Sequence, residues 1–500
     1  MRNEITRRFL LAGLASVSAL PALARAPDRS IRPVLRGDAD PLLRLKNAAR
    51  SVEDLIREAA LGGRLSYTVA DARTGLVLEA RGPGTLHPPA SVTKIVTALY
   101  GLDTLGADYR FETRLIATGP IENGVLRGDL VLAGGGDPGL DTDRLATMAG
   151  ALRQAGVRKV EGRFFVHADA LPRIPAIDAG QPDHLGYNPA ISGLNLNFNR
   201  VHFEWRRGGK GYQIAMDARA RRYRPAVTIA SMKVVDRNLP IYTYSKGPRG
   251  DRWTVARSAL GKAGSRWLPV REPALYAGEV FQILARGEGI ALPAAKLLDG
   301  APRGRALVVH KSPPLREILR DLLKYSTNLT AEVIGLTATR ARGVEARDLA
   351  RSAEEMNNWL AGWLGTISSR FVDHSGLEPE NRASPSDILR ALVRAESDGM
   401  LPSLLKDIPL RDSRGRVLKA HPLKVRAKTG TLNFVSNLAG YIQLPDGNSL
   451  AFAIFISDDA RRARIPRADR ENPPGAGAWN KRAKRLQQGL IERWAGLYGI

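Results

Sequence analysis

The order of local signals constrains the fold most: strands and a helix open the chain, helices and then strands close it, and the stretch between is almost all strand. Residues 65–70 and 76–79 read as a hairpin turning at 72–75. Pro88-Pro89 then stops the chain ahead of a helix that begins near Ser91, with Ile95, Val96, Leu99 and Leu102 on one face. After Arg110 the signals turn to strands at 111–118 and 124–132, joined at Asn123-Gly124, and at 159–167, 201–205, 212–216 and 226–235. A hairpin follows at 241–255, and helical spacing at 273–286. From Pro314 the helical pattern returns (Ile318, Leu319, Leu322, Leu323), breaks at Tyr325 to Asn328, resumes at Thr330 and spans 349–364. Strands at 425–428, 438–444 and 450–456 precede a last helix at 479–494. A chain of 500 residues exceeds what one core usually grows to. The pattern predicts one α/β domain made of residues 25–112 and 305–498. A β-rich module of one or two smaller domains, residues 113–304, interrupts it.

Three short motifs carry chemistry. Ser91 and Lys94 stand three apart at a helix start, so their side chains share one face and can touch. Amide hydrogens at that helix start would stabilise a developing alkoxide, and a lysine whose pKa is lowered by burial or by a neighbouring cation can serve as base. Taken alone, the pair is better explained by a solvated lysine on an amphipathic helix. Ser326-Thr327-Asn328 lies between two helices, where the hydroxyl would relay a proton and the amide would orient substrate, or where both would simply cap a helix. Lys428-Thr429-Gly430 lies on a strand, where a cation and a hydroxyl would grip a carboxylate and glycine would admit close backbone approach, or would form a surface turn. Together, in this order and in these contexts, they outweigh the separate bland readings. The chain has no cysteine, which excludes disulfides, thiolate metal sites and cysteine nucleophiles.

Ser-x-x-Lys, Ser-x-Asn and Lys-Thr-Gly in this order are the signature of serine β-lactamases and penicillin-binding proteins. The chain resembles the class C low-molecular-mass penicillin-binding proteins, the D-alanyl-D-alanine carboxypeptidase/endopeptidase family. The likeness extends to Pro89-Ala90-Ser91, the segments 128–138 and 195–199, Ser375-Gly376-Leu377, and Lys428-Thr-Gly-Thr-Leu followed by Leu438-Ala-Gly-Tyr441. It implies an α/β (α+β) fold: a β-lactamase/transpeptidase-like domain with a central antiparallel sheet flanked by helices, carrying the β-rich insert. It also implies roles. Ser91 acylates, Lys94 is the base, and Ser326 and Asn328 assist proton transfer and substrate placement. Lys428, Thr429 and Gly430 form the carboxylate site, with backbone amides of Ser91 and Thr431 as the oxyanion hole. Asp169 matches a position that contacts the amino end of a diaminopimelate side chain, although a strand-end aspartate capping a turn explains it as well. The implied partners are stem peptides of peptidoglycan ending in D-Ala-D-Ala, and β-lactam antibiotics; no cofactor or metal is implied. A β-lactamase would share the motifs, but no Glu-x-x-Leu-Asn segment lies between Ser326 and Lys428. A non-catalytic wall-binding protein would not need them intact.

Arg2, Arg7 and Arg8 precede an uncharged apolar stretch, 9–23, with small-x-small at Ala22-Leu23-Ala24. Residues 1–24 therefore read as a cleavable signal peptide, and Arg7-Arg8 fits a loose twin-arginine pattern, so a periplasmic location is expected. The formal charge of +25 is spread from Arg2 to Arg493 without a basic arm interleaved with aromatics. That favours a solvated surface or attraction to an anionic wall over nucleic acid. Gly134 to Gly139 satisfies G-x-G-x-x-G, but Asp137-Pro138 puts a negative charge and a missing N–H where a pyrophosphate would sit, so a strained turn is expected. The seven histidines form no metal-type pair, and His374 reads as a polar loop residue. The tail helix residues Leu490, Ile491, Trp494 and Leu497 are expected to pack on the catalytic sheet, with at most weak contact to a membrane surface.

Overall fold

The structure, a computed structural model, describes residues 50–248 and 250–499. The expected signal peptide, 1–24, lies outside them. A six-stranded antiparallel sheet runs in the order Lys406–Asp407, Lys424–Leu432, Val435–Gln443, Ser449–Ser457, Arg64–Asp71, Val77–Arg81. The first and last described strands thus share one sheet: the first hairpin completes a sheet begun by the last strands. Val435–Gln443 and Ser449–Ser457 are buried along nearly their whole length because helices cover both faces.

On one face lie the helices Val52–Ala59 and Ala476–Tyr498. Trp479, Leu490, Ile491 and Trp494 pack there on Val69, Phe452, Ile454 and Ile456, and Trp494 sits 5.3 Å from the Tyr67 ring. Burying each such side chain contributes roughly 1.5–3 kcal/mol, which explains why the tail helix docks on the sheet as expected. On the other face Thr93–Leu105, Leu315–Tyr325, Asn328–Ala341, Leu349–Leu364 and Pro385–Glu396 share a second core. Gly101 lets the first of these approach Ile334 of the third, where a β-carbon would come within 2.7 Å.

Strands Glu112–Ala117 and Arg305–Lys311 pair antiparallel, Leu115 opposite Val308, where the chain leaves and returns. They belong to a five-stranded sheet, Ala295–Leu297, Phe164–His167, Leu130–Gly134, Glu112–Ala117, Arg305–Lys311, that packs with helices Thr142–Gln154 and Pro273–Gly287 around a separate core. Two three-stranded sheets, centred on Arg200–Gly208 and Gly250–Ala256, share that core.

Three expectations need correction. The strand expected over 124–132 is two strands, Val125–Leu126 and Leu130–Gly134, and that over 159–167 is Lys159–Val160 and Phe164–His167. The breaks fall at Gly128 and Gly162, whose backbones press together: a β-carbon on Gly162 would lie 2.5 Å from the Gly128 carbonyl oxygen. Asp129 closes the corner by accepting from the Arg163 amide at 2.7 Å. The helix Thr142–Gln154 was not expected. Asp141 caps it by accepting from the Arg144 amide, and Leu145, Ala149 and Leu152 supply its buried stripe. The glycine-rich run is the turn expected, with Gly136 at φ +88° and Asp137 accepting from the Gly139 amide at 2.8 Å.

Candidate active site

Ser91 lies in a short 3-10 turn, Ala90–Val92, that leads into the helix Thr93–Leu105. Three elements pin this turn. Asn437 of the sheet donates to the carbonyls of Pro88 (2.8 Å) and Pro89 (2.9 Å) and accepts from the Ile456 amide. Gly430 faces the same turn so closely that a β-carbon would sit 2.5 Å from the Pro89 oxygen. Gly376, at φ +79°, presses on the Ala90 carbonyl, where no β-carbon fits. Ala90 itself is held at φ +49°, a conformation costly for a residue with a β-carbon. The motif glycines are therefore required by close approach, as expected for Gly430.

Lys94 points along the same face and is fully buried. Its Nζ donates to Ser91 Oγ (2.9 Å), Asn328 Oδ1 (2.7 Å) and the Ser375 carbonyl (2.7 Å). An ammonium has three protons and all three are used. Burial pushes its pKa down to about 8, against the pull of the Asp373 and Glu332 carboxylates. When the amine is neutral, two donors remain for Asn328 and Ser375, and the lone pair faces Ser91.

Asp373 and Glu332 were not singled out from sequence. Asp373 accepts from the amides of Gly376, Leu377 and Glu378 and from the side chains of Ser375 and Asn381. It thereby organises the loop that brings the Ser375 carbonyl to Lys94. Burial raises both carboxyls, Glu332 to about 8. Glu332 sits one turn beyond Asn328 in the helix Asn328–Ala341, and an acid amid Val333, Ile334 and Leu336 is a readable signal of a special environment. His374 is buried rather than exposed in a loop. Its ring bonds Ser352 Oγ at 2.8 Å, and burial lowers its pKa to about 3. It touches the site only through its backbone, donating to Glu332 and accepting from Thr97.

Ser326 ends the helix Leu315–Tyr325 at φ +62°, which turns its hydroxyl toward the strand Lys424–Leu432. Lys428 Nζ donates to Ser326 Oγ (2.9 Å) and to the Thr429 carbonyl (2.8 Å). Burial and the positive charge of Lys94 hold the Lys428 pKa well below the usual lysine range. Thr429 is half-buried and Thr431 exposed. Asn328 Nδ2 also donates to the Tyr187 carbonyl of the insert at 2.9 Å. A cleft of about 740 Å³ runs from Ser326, Thr327 and Asn328 past Tyr187, Phe198 and Arg219.

The structure thus brings together Ser91, Lys94, Ser326, Asn328, Lys428, Thr429 and Gly430. Asp169 stands apart: it is exposed, 3.5 Å from His167 Nε2, and has no hydrogen bond to the cluster among the described residues. In the insert His202, Glu204 and Asp217 lie close enough to share a cation, but the Arg219 guanidinium already bonds both carboxylates. The basic stretch after Asp458 straps the insert: Arg467 and Arg470 donate to the carbonyls of Gln181 and Gly180, and Glu471 pairs with Arg266 at 2.6 Å.

Residues 48–472 match the D-Ala-D-Ala carboxypeptidase 3 (S13) family. The chain is 27% identical over 482 residues to a D-alanyl-D-alanine carboxypeptidase of Actinomadura sp. (strain R39), covering 88% of this chain and 83% of that one. It is 25% identical over 436 residues to the D-alanyl-D-alanine carboxypeptidase DacB of Haemophilus influenzae, covering 81% and 88%. Its fold is similar to the crystal structure of penicillin binding protein 4 (dacB) from Haemophilus influenzae, with a TM-score of 0.69 and 22% identity over 82% of this chain and 93% of that one. The penicillin-binding-protein fold read from the motifs is the fold observed.

Proposed function

The chain belongs to the D-Ala-D-Ala carboxypeptidase 3 (S13) family, and on that premise we propose that it is a serine D-alanyl-D-alanine carboxypeptidase and endopeptidase. Its substrates would be peptidoglycan stem peptides ending in D-Ala-D-Ala and the crosslinks between them, and β-lactams would acylate the same serine. The observation that carries this reading is the Lys94 amine, 2.9 Å from Ser91 Oγ, with its other two donors engaged. Neutral Lys94 takes the Ser91 proton as Oγ attacks the carbonyl carbon of the penultimate D-alanine. Amide hydrogens of Ser91 and Thr431 receive the oxyanion. Lys428 and Thr429 hold the terminal carboxylate, and Ser326, hydrogen-bonded to Lys428, relays the proton taken up by Lys94 to the departing amine, which leaves Ser326 a hydroxyl and Lys94 neutral. Water then cleaves the Ser91 ester, with Lys94 again as base.

The same reading takes 25–112 and 305–498 as the catalytic domain and 113–304 as its insert. It takes 1–24 as the export signal to the periplasm. Among the described residues no helix is long and apolar enough to cross a membrane. Asp169, solvent-facing in the insert just after the strand Phe164–His167, remains a candidate for contact with the amino end of a long substrate side chain.

Incubation with a fluorescent penicillin, followed by peptide mapping, tests the assignment. A long-lived adduct on Ser91 is expected, together with loss of D-alanine release in Ser91→Ala at unchanged melting temperature. No adduct on Ser91, or its loss within milliseconds, overturns the peptidase reading.

A further inference from the structure

Side chains alternate along a strand. Lys428 and Gly430 face Ser326 and the Ser91 turn, and the strand is paired on its outer side only at Arg426 and Ala427, so Thr429 and Thr431 stand along an edge between the carboxylate site and the tail-helix side. There they line a groove of about 1050 Å³ between the loop at 408–418 and the helix Ala476–Tyr498. A groove of this size exceeds what one amino acid fills.

Its lining is cationic, with eight Lys and Arg against three Asp and Glu. Two of the acids are spoken for: Glu58 pairs with Arg50 at 2.5 Å, and Asp412 with Arg416 at 2.7 Å. Burial raises the pKa of the third, Glu492. Arg414, Lys481, Lys484 and Arg485 are exposed and have no acidic partner within 4 Å among the described residues. Unneutralised charge of one sign in a concave wall focuses its field on whatever enters. Carboxypeptidase action does not explain it, because a departing D-alanine carries one carboxylate and Lys428 with Thr429 already accounts for that.

A crosslink differs in what departs. Its scissile amide joins D-alanine to the side-chain nitrogen of a diamino acid, whose D-centre presents a carboxylate beside the bond just as a terminal D-alanine does. Beyond that centre the second stem peptide continues and carries further carboxylates. Resting on the peptidase reading above, we propose that the groove is the subsite for this departing strand, and that its cations favour crosslinked substrate over monomeric stem peptide. The bond chemistry is unchanged: water adds across the amide, the acyl side becoming a carboxylate and the departing strand an amine.

The test compares kcat/KM of the full protein for a monomeric muropeptide ending in D-Ala-D-Ala and for a crosslinked dimer, in wild type and in a triple variant Arg414→Gln, Lys484→Gln, Arg485→Gln. Solvent-facing charge contacts are each worth a factor of roughly two to five, so the triple variant should lose roughly tenfold to roughly a hundredfold on the dimer, mainly through KM. Monomer hydrolysis and penicillin acylation should stay within about twofold, which also verifies folding. Raising salt from about 0.05 M to about 0.5 M should erode the wild-type preference for dimer. Equal losses on both substrates, no loss on either, or a wild type that cleaves monomer alone overturns the proposal. So does binding to phosphatidylglycerol vesicles that depends on the three cations while dimer hydrolysis does not, since the groove would then meet a lipid surface. A wild type inert to both substrates and to penicillin instead removes the peptidase reading beneath it.

Discussion

Shifting pH from 7 to 9 titrates the proposed base directly. With the Lys94 pKa near 8, the neutral amine makes up about 9% at pH 7, about half at pH 8 and about 91% at pH 9, so the acylation rate constant should rise about tenfold and then level. The sign follows from burial, which disfavours the ammonium and brings the amine into its reactive form below the usual lysine range. An ordinary lysine with pKa 10.5 would give about a hundredfold rise over the same interval and still be climbing at its end. The assay is stopped-flow acylation by a fluorescent penicillin at saturating concentration. Saturation matters because Lys428 is also held low, and its loss of charge at high pH weakens carboxylate binding. A flat profile between pH 6 and 9, or a straight unit slope continuing past pH 10, would refute the assignment of Lys94 as a depressed-pKa base.

Two further perturbations probe the frame around the nucleophile. In Gly376→Ala the new methyl collides with the Ala90 carbonyl at a backbone φ of +79°; displacement of the Ser91 turn should slow acylation about a hundredfold, and a rate within about threefold of wild type would mean that the turn is not held from this side. Asn437→Ala leaves the Pro88 and Pro89 carbonyls and the Ile456 amide without their buried partner, which should lower unfolding free energy by about 3 kcal/mol in urea titration; a loss below about 1 kcal/mol would show that water replaces the amide there.

The side chains that come together in the candidate site were legible in the sequence because each motif sits beside a local signal: Pro88-Pro89 before Ser91, the helix break at Ser326, the strand that carries Lys428. What surrounds them was not. Lys94 and Lys428 look like surface lysines in a linear reading, and only tertiary packing buries them and lowers their pKa values. The Ser375 carbonyl reaches Lys94 across 281 positions, a backbone contact that no side-chain pattern encodes. Asp373 belongs to the same class, since its partners are mostly amides of the following loop. In the insert, periodicity found the strands but ran through Gly128 and Gly162, where backbone contact between two glycines ends the ladder. The helix Thr142–Gln154 escaped because its apolar stripe is thin, although its Asp141 cap was there to be read.

The pairing of Glu112–Ala117 with Arg305–Lys311 bears on how such a chain tolerates change. An excursion that begins and ends on adjacent strands is, to the rest of the molecule, a closed loop, and the entropy of closing a loop grows only logarithmically, by about 0.6 kcal/mol per doubling of length. Insertions and deletions between residues 113 and 304 therefore leave the two halves of the catalytic frame in register, provided that this one ladder is kept. The reach of the enzyme can then diversify through its appendage while Ser91 and Ser326 keep the spacing that the contacts of Lys94 with Asn328 and of Lys428 with Ser326 give them.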